Sequence, residues 1–493
     1  EHHGRLLPPE FTLLRFEPEP FTGPDVLVWV KMMAWDLSAN YTLELMRHDI
    51  AAKVGVDRMA DLLPPYPVNG LSIVGGSPAT ENGPSAGVGR SHYTGKGSPY
   101  TSGLLSALSS GDPSVRDLLL GGSFEGLGSN NWVVDGTLGA TGKPLLANDP
   151  HLATHLPSLW YLAHMTAGDF DVIGATLPGA PAVAIGRNRF IAWGETNVAA
   201  HVEDLYLERV DASGRTAEFR GAQEPLRIIP ETIKVKGSAP IEIDVRVTRH
   251  GPLVSHALNA ISAAAKTEPK PPTYEPLAFR WTALDDEDAT VVAFLKLNEA
   301  KNWSDFTAAL RHLVVPAQNF VYADVDGHIG YYAPGTIPVR ASGDGSRPVE
   351  GWTGDAEWTG SVPYEELPHV FDPPDHFIVT ANNRPMPADY PHLIALEYPE
   401  PYRAQRVTDL ISRKKQFTVG EFAEMQADTL SLHAHALLPL LLGHVAADDT
   451  RTRQAVSILS QWNYNASGDS AGSAIFQAWF RHLAPALVGD ELG

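Results

Sequence analysis

The chain has 493 residues, a formal net charge of −21 and no cysteine, and 43% of its residues are hydrophobic. The lack of cysteine excludes disulfide bonds, thiolate nucleophiles and cysteine-ligated zinc, and the acidic balance argues against a nucleic-acid partner, which needs clustered Lys and Arg. The apolar runs fall short of the roughly 20 residues that a bilayer requires, so we expect no membrane span.

The first part of the chain is predicted to be helical and then to become a linker. Residues 25–55 carry apolar side chains at helical spacing and end in a glycine, which predicts one or two helices. Residues 74–128 are rich in Gly, Ser and Pro, which is typical of a linker or mobile loop. Because the chain begins with Glu1 rather than Met, we expect it to be the interior of a longer protein.

From residue 129 the sequence changes to short apolar stretches separated by turn signals, which predict strands. Asp326 and Gly327 lie between two such stretches and predict the turn of a hairpin. Helical spacing dominates later, including one long run over residues 418–446. Strands grouped together and helices grouped apart predict an α+β fold built in layers, rather than a parallel βαβ sheet.

Two serines are candidates for a nucleophile. The segment GDSAG, residues 468–472, fits the G-x-S-x-G pattern, but an Asp and then a His should follow the serine. Only His482 and Asp490 follow Ser470, in the wrong order, so we interpret this match as chance. Ser129 lies in GLGSNNWVVDG, where a flexible run meets a predicted strand. It is either a loop hydroxyl that caps a turn or a nucleophile freed by cutting the chain after Gly128.

A series of motifs distinguishes these alternatives. In chain order they are GSNNWVVDG, GKPLLANDPHL, IAWGETNV, EDLYLER, GWTGDAEW, TANNRP and YRAQRV. Their order and spacing resemble the penicillin acylase family of N-terminal nucleophile hydrolases, which includes cephalosporin acylases and acyl-homoserine-lactone acylases. The resemblance implies a four-layer αββα sandwich with two antiparallel sheets between helical layers. It also implies an α-chain portion over residues 1–73, a linker or spacer over 74–128 and a β-chain portion over 129–493.

The resemblance implies a self-processing amidohydrolase. It would cleave the linear amide bond of a small-molecule N-acyl substrate, such as a β-lactam side chain or an N-acyl-homoserine lactone, through an acyl-enzyme on Ser129. Processing of one precursor would give an αβ heterodimer, located in the periplasm or secreted. The alternative is a non-catalytic binding or scaffold relative on the same fold, with Ser129 uncleaved.

Self-cleavage before Ser129 has a chemical reason. A serine hydroxyl is a weak nucleophile unless a base removes its proton. As a new N-terminus, Ser129 would supply its own α-amino group, with an ordinary pKa of about 7.7–8.0, as that base. Gly128 suits the cleavage step, because a residue without Cβ tolerates a strained backbone.

Further roles are implied by the resemblance at matching positions. His151 would orient Ser129 or shuttle protons to it. The backbone N–H of Val198 and the side-chain N–H of Asn382 would form the oxyanion hole, with Asn383 as the alternative donor if the register shifts by one. Arg406 would position the oxyanion asparagine.

The predicted acyl pocket and metal site depart from penicillin G acylases. Leu152 stands in place of a pocket phenylalanine. Glu195 stands in place of a small residue, where it either favours a polar or cationic acyl group or faces solvent.

Penicillin G acylases bind structural calcium, and Glu44 and Asp204 match two of its ligands. His201 and Leu393 stand where two aspartates are needed. Because calcium requires oxygen ligands, we expect no required cofactor and no metal, and the sequence argues against calcium.

Overall fold

The computed structural model describes residues 7–38, 40–63, 65–67, 70–75, 128–152, 156, 158–258 and 275–492. The linker predicted over 74–128 therefore lies almost entirely outside the described residues, and the division into α-chain and β-chain portions stays a prediction. The α-helices of the described ranges are α1 (Pro9–Leu14), α2 (Gly23–Ser38), α3 (Asn40–Val54), α4 (Val56–Leu62), α5 (Thr290–Glu299), α6 (Trp303–Leu310), α7 (Tyr402–Ser412), α8 (Val419–Gln426), α9 (Leu432–Leu442), α10 (Thr450–Gln461) and α11 (Ala471–Leu492).

The strands of the same ranges fall into several sheets, mostly antiparallel. They are β1 (Gly128–Val134), β2 (Leu145–His151), β3 (Tyr161–Ala167), β4 (Phe170–Thr176), β5 (Ile185–Arg187), β6 (Ile191–Asn197), β7 (Glu203–Leu207), β8 (Thr216–Phe219), β9 (Ala222–Pro225), β10 (Arg227–Ile233), β11 (Ile241–Thr248), β12 (Gly251–Pro252), β13 (Leu277–Trp281), β14 (Gln318–Asp324), β15 (Ile329–Tyr332), β16 (Pro338–Arg340), β17 (Val349–Glu350), β18 (Trp358–Ser361), β19 (His369–Phe371) and β20 (Phe377–Thr380).

Two antiparallel sheets form the centre of the molecule. The small sheet has the order β2-β1-β20 and the large one β19-β15-β14-β6-β5-β4-β3. Strands β1 and β2 contact β6 and β14, so the two sheets face each other. Successive side chains of a strand point to opposite faces. Accordingly, Trp132 and Val134 of β1 join one hydrophobic cluster and Val133 joins the other.

Helices cover the outer face of each sheet. Helices α7 and α8 contact the small sheet, and Phe422 of α8 packs on Trp132 with ring centroids 5.8 Å apart. On the other side, Phe306 of α6 packs on Phe320 and Tyr322 of the large sheet, at 6.3 and 5.0 Å. Truncation of such a buried aromatic side chain costs about 3–5 kcal/mol. The order helix, sheet, sheet, helix confirms the predicted α+β class and its αββα layers.

The local predictions are mostly confirmed. Residues 25–55 form α2 and α3, and Gly55 follows with a φ of 83°. Strands β14 and β15 form the predicted hairpin, in which Gly327 has a φ of 111°. The long helical run over 418–446 was wrong as one helix, because Ser431 caps a new helix by accepting a hydrogen bond from the N–H of Ala434. In the described part of the chain, no helix is long and apolar enough to cross a membrane.

Candidate active site

Ser129 lies near the start of β1, in the space between the two sheets. It is opposite Pro150 of β2, and Gly128 is opposite His151 in the same antiparallel register. The Ser129 residue is 5% exposed, so it is buried among fixed neighbours. Ser470, in contrast, precedes α11, and its hydroxyl accepts a hydrogen bond from the N–H of Ser473 at 3.1 Å. That is the contact of a helix cap rather than of a nucleophile.

The side chain of Asn382 contacts both the backbone and the hydroxyl of Ser129. Its Oδ1 accepts a hydrogen bond from the Ser129 N–H at 2.9 Å. Its Nδ2 donates to the Asn197 carbonyl at 2.9 Å and to the Ser129 Oγ at 3.4 Å. Asn382 has a φ of 63°, a left-handed conformation that asparagine tolerates better than most residues. The amide is thus held in one orientation, with one N–H directed at the Oγ.

The neighbouring Asn383 faces away from this site. Its Nδ2 donates to the carbonyl of Leu71 at 3.1 Å, and its Oδ1 accepts from the N–H of Ala381 at 3.0 Å. Of the two alternative donors, Asn382 is therefore the one placed at Ser129.

Arg403 is the arginine that reaches the site. From α7, its guanidinium donates to the Ser129 carbonyl at 2.8 Å, to Asn130 Oδ1 at 2.8 Å and to Asn382 Oδ1 at 3.0 Å. Burial lowers the pKa of Arg403, and the charge of Asp149 opposes this effect. A planar guanidinium with several donors is suited to fixing three acceptors at once.

The prediction for Arg406 is contradicted by this geometry. Arg406 instead forms hydrogen bonds with both carboxylate oxygens of Asp428, at 2.8 and 2.6 Å. Both arginines lie in YRAQRV and on one helix, where residues three apart occupy neighbouring positions on the surface. The sequence pattern therefore could not tell which arginine is directed at β1.

His151 ends β2 beside Gly128. Its Nδ1 lies 3.0 Å from the Asp149 carbonyl and 3.5 Å from the Asp149 Oδ2. The hydrogen bond from His151 is the main reason that the pKa of Asp149 is lowered. A Cβ added to Gly128 would lie 2.8 Å from the His151 Nε2 and 3.2 Å from the Arg403 Nη2. Glycine at 128 thus permits the imidazole to approach the backbone just before Ser129.

Val198 is placed differently from the expectation. Its backbone N–H donates to the carbonyl of Ala317 at 3.2 Å. To act as an oxyanion donor, this N–H would have to leave the Ala317 carbonyl and donate to the oxyanion instead. The role stays a prediction. The preceding residue, Asn197, which the sequence did not single out, contributes the carbonyl that orients Asn382.

An apolar pocket opens beside Ser129. It has a volume of about 100 Å³, and helix α2 closes one side with Val30, Met33 and Leu37. Leu152 and Glu195 both line it, and their role in binding an acyl group stays a prediction. The other lining residues are Pro150, Trp160, Leu177, Ala180, Pro181, Ala182, Ala184, Ile185, Asn197, Thr290, Val291, Phe294, Pro316 and Gln318.

The residues at the position of the calcium site do not fit a cation. Both carboxylate oxygens of Asp204 accept from Arg340, at 2.7 and 2.8 Å. Glu44 accepts from the N–H of Leu205 at 3.0 Å and from Asn40 at 3.3 Å. The guanidinium of Arg340 therefore already supplies the positive charge.

His201 adds no oxygen ligand to this position. It pairs with Glu397 at 2.8 Å. Burial, assisted by the charges of Arg340 and Arg47, lowers the pKa of His201 to about 3. Among the described residues, no group of three or more His, Cys, Asp or Glu could hold a metal.

Comparison with known proteins identifies the family of the chain. The penicillin amidase family model matches residues 1–493. Penicillin acylase 2 proenzyme of Pseudomonas sp. is 33% identical over 77% of this chain and 48% of that protein. The acyl-homoserine lactone acylase QuiP of Pseudomonas aeruginosa is 28% identical over 99% of this chain and 57% of that protein.

A solved structure has the same fold. The thermostable penicillin G acylase from Alcaligenes faecalis superposes with a TM-score of 0.57 at 24% identity, over 72% of this chain and 63% of that chain. This chain spans about half the length of the curated relatives it matches. The family model covers every residue, and a relative is 33% identical over 77% of this chain, so the chain belongs to the penicillin amidase family.

Proposed function

We propose that this chain is the nucleophile-bearing part of an acylase that hydrolyses a linear amide through an acyl-enzyme on Ser129. One observation carries the proposal. Asn382 contacts both the N–H and the Oγ of Ser129 at the opening of an apolar pocket. A serine that only capped a turn would not need its hydroxyl fixed beside both an amide donor and a pocket.

The first step is self-cleavage. The Ser129 Oγ attacks the carbonyl carbon of Gly128, the C–N bond breaks and the nitrogen takes up the hydroxyl proton, which frees the α-amino group and leaves an ester between Gly128 and the Oγ. Water then hydrolyses this ester, which restores the Ser129 hydroxyl and releases Gly128 as a carboxylate. The closeness of His151 to Gly128 supports a role for its imidazole in moving these protons.

Amide hydrolysis follows the same chemistry on a substrate. The freed α-amino group takes the Oγ proton, the Oγ attacks the acyl carbon, and the proton passes to the leaving amine. Water then hydrolyses the acyl-enzyme and releases the acid. The bond from the Ser129 nitrogen to Asn382 Oδ1 suits an amino group that must keep its lone pair directed at the Oγ.

Asn382 Nδ2 is the proposed donor to the oxyanion of the tetrahedral intermediate, with the N–H of Val198 as the predicted second donor. A donor fixed before the reaction stabilises charge without reorganisation. Arg403 positions this donor, because it holds both the Asn382 Oδ1 and the Ser129 carbonyl.

The names of the relatives suggest the substrate class. They are penicillin acylases and acyl-homoserine lactone acylases. We therefore propose a small N-acyl substrate whose acyl group enters the apolar pocket. We also propose an αβ heterodimer made from one processed precursor, in the periplasm or secreted; the word proenzyme in one relative's name supports the processing.

The test is the intact mass of the full-length protein under denaturing conditions. Wild type should be cut between Gly128 and Ser129, Ser129→Ala should be uncut, and Ser470→Ala should be cut like wild type. The cut protein should then release the acid from amide substrates. Cutting of Ser129→Ala would refute the proposal, and an uncut wild type would favour the binding relative. A cut protein without amidase activity would refute the acylase function.

A further inference from the structure

The pocket beside Ser129 contains a carboxyl group that the protein leaves without a partner. Glu195 lines the pocket, and its Oε2 is buried and accepts no hydrogen bond from the described residues. An unpaired buried acceptor costs free energy that a packed apolar side chain would not. A ligand that enters the pocket is therefore the candidate hydrogen-bond partner of the Glu195 Oε2.

Two other polar side chains of the pocket have hydrogen-bond partners within the protein. Asn197 Oδ1 accepts from the N–H of Ala199 at 3.1 Å and from Gln318 Nε2 at 3.3 Å. The Thr290 hydroxyl donates to the Val315 carbonyl at 3.2 Å. The residues known to line this pocket include no Lys, Arg or His, so the structure shows no counter-charge for Glu195 within it.

The position of Glu195 relative to Ser129 fits contact with an acyl chain. Glu195 and Asn197 are alternate residues of β6 and point to the same face. They are separated by about 7 Å along the strand, from a rise of about 3.3 Å per residue. The Asn197 carbonyl holds the Asn382 amide that contacts the Ser129 Oγ. Glu195 is thus set back from the nucleophile, where the far part of an acyl group would lie.

We propose that Glu195 selects acyl groups that carry a protonated primary amine along the chain, an inference that rests on the proposed acylase function. An ammonium group donates to the free Oε2 and supplies the missing positive charge. Charge-assisted hydrogen bonds are roughly twice as strong as neutral ones, and the apolar surroundings increase the attraction.

A hydroxyl is the competing occupant. The buried Nε1 of Trp160, which also lines the pocket, has no partner among the described residues. A hydroxyl could accept from this indole and donate to Glu195. It would bring no charge, however, and so would gain less from a carboxyl in an apolar pocket than an ammonium group does.

The two occupants differ in their effect on protons. Burial raises the pKa of Glu195 to about 8, so the free side chain holds a proton near neutral pH. Pairing with an ammonium group favours the ionised carboxylate. Binding of the cation should therefore release close to one proton to solvent, whereas binding of an alcohol should release none.

The experiment is calorimetric titration of the full-length protein with n-hexylammonium and with n-hexanol, at pH 6.5 in two buffers of different ionisation enthalpy. Wild type should bind hexylammonium more tightly and release about one proton. Glu195→Gln should weaken hexylammonium binding about thirtyfold and abolish the release. Hexanol binding should persist and report an intact pocket; if the glutamine variant does not fold, Glu195→Leu gives the same comparison. Glu224→Gln, far along the chain on β9, is the matched control.

Equal loss of hexanol binding in Glu195→Gln, or wild-type binding of hexylammonium no tighter than that of hexanol, would overturn the proposal. Its failure is separable from failure of the proposed function. If the protein is uncut but still binds hexylammonium through Glu195, the amine proposal stands and the acylase proposal fails. If the protein is cut and active but does not prefer hexylammonium, the acylase proposal stands and the amine proposal fails.

Discussion

Replacing Glu195 with glutamine should make the protein more stable, and the gain should appear only as the pH rises. The ordinary pKa of a glutamate side chain is 4.5, and burial raises that of Glu195 to about 8. Glutamine has nearly the same shape and no charge to bury. The variant therefore isolates the free-energy cost of ionising this one carboxyl group.

The direction follows from proton binding. Between pH 4.5 and about 8, the unfolded chain has lost a proton that the folded chain retains, so the free energy of unfolding falls as the pH rises. Above about pH 8 both states are ionised, and the loss is complete. One pKa unit corresponds to about 1.4 kcal/mol, so the pKa difference predicts a loss of about 3–5 kcal/mol once the opening of the pocket to solvent is allowed for.

The assay is urea unfolding of wild type and Glu195→Gln at pH 5, 7 and 9. The two proteins should differ little at pH 5, and the variant should be more stable by about 3–5 kcal/mol at pH 9. Because other titrating groups are shared, they cancel in the difference between the curves. A difference that does not change with pH would refute the reasoning, since it would mean that Glu195 titrates alike in both states.

Three further predictions concern the arginines and Asn382, the proposed oxyanion donor. Arg403→Ala should lower kcat about tenfold to a hundredfold through a misplaced Asn382. Arg406→Ala loses only its half-buried pair with Asp428 and should keep near wild-type turnover. Equal losses of kcat would show that the contact to Ser129 is irrelevant. Asn382→Ala should reduce kcat about 10²–10³-fold with a smaller change in KM, and an unchanged kcat would remove it from the oxyanion hole. In urea unfolding, Arg340→Ala should destabilise the fold by about 3–5 kcal/mol, and Arg209→Ala, at an exposed position, by less than about 1 kcal/mol. EDTA should leave the wild-type melting temperature unchanged. A lower melting temperature after chelation would contradict the view that Arg340 takes the place of a cation.

The fold class was accessible from the sequence because its signals are local. The alternation of apolar residues in β1 and the Asp326–Gly327 turn reflect periodicities and dihedral preferences that neighbouring residues set by themselves. The single helix over 418–446 was wrong because a capping serine, Ser431, ends the run without changing its apolar pattern. Whether a polar side chain caps a helix or continues it depends on its contacts, and the spacing of apolar residues does not show these contacts.

The region of the proposed nucleophile was also singled out from the sequence, because Ser129 and His151 lie in contiguous motifs of adjacent strands. The structure places Ser129 and His151 on adjacent strands, and Leu152 and Glu195 in the pocket beside Ser129. Their catalytic and binding roles stay predictions.

Only the tertiary structure decided which distant groups meet these residues. Arg403 rather than Arg406 reaches Ser129, since the rotation of α7 on the small sheet determines which side chain is directed inward. The N–H of Val198 donates to the carbonyl of Ala317, and the Oε2 of Glu195 has no partner among the described residues. Sequence determined the residue types and the local elements. Whether a buried donor or acceptor has a hydrogen-bond partner depends on groups that folding brings together from distant parts of the chain.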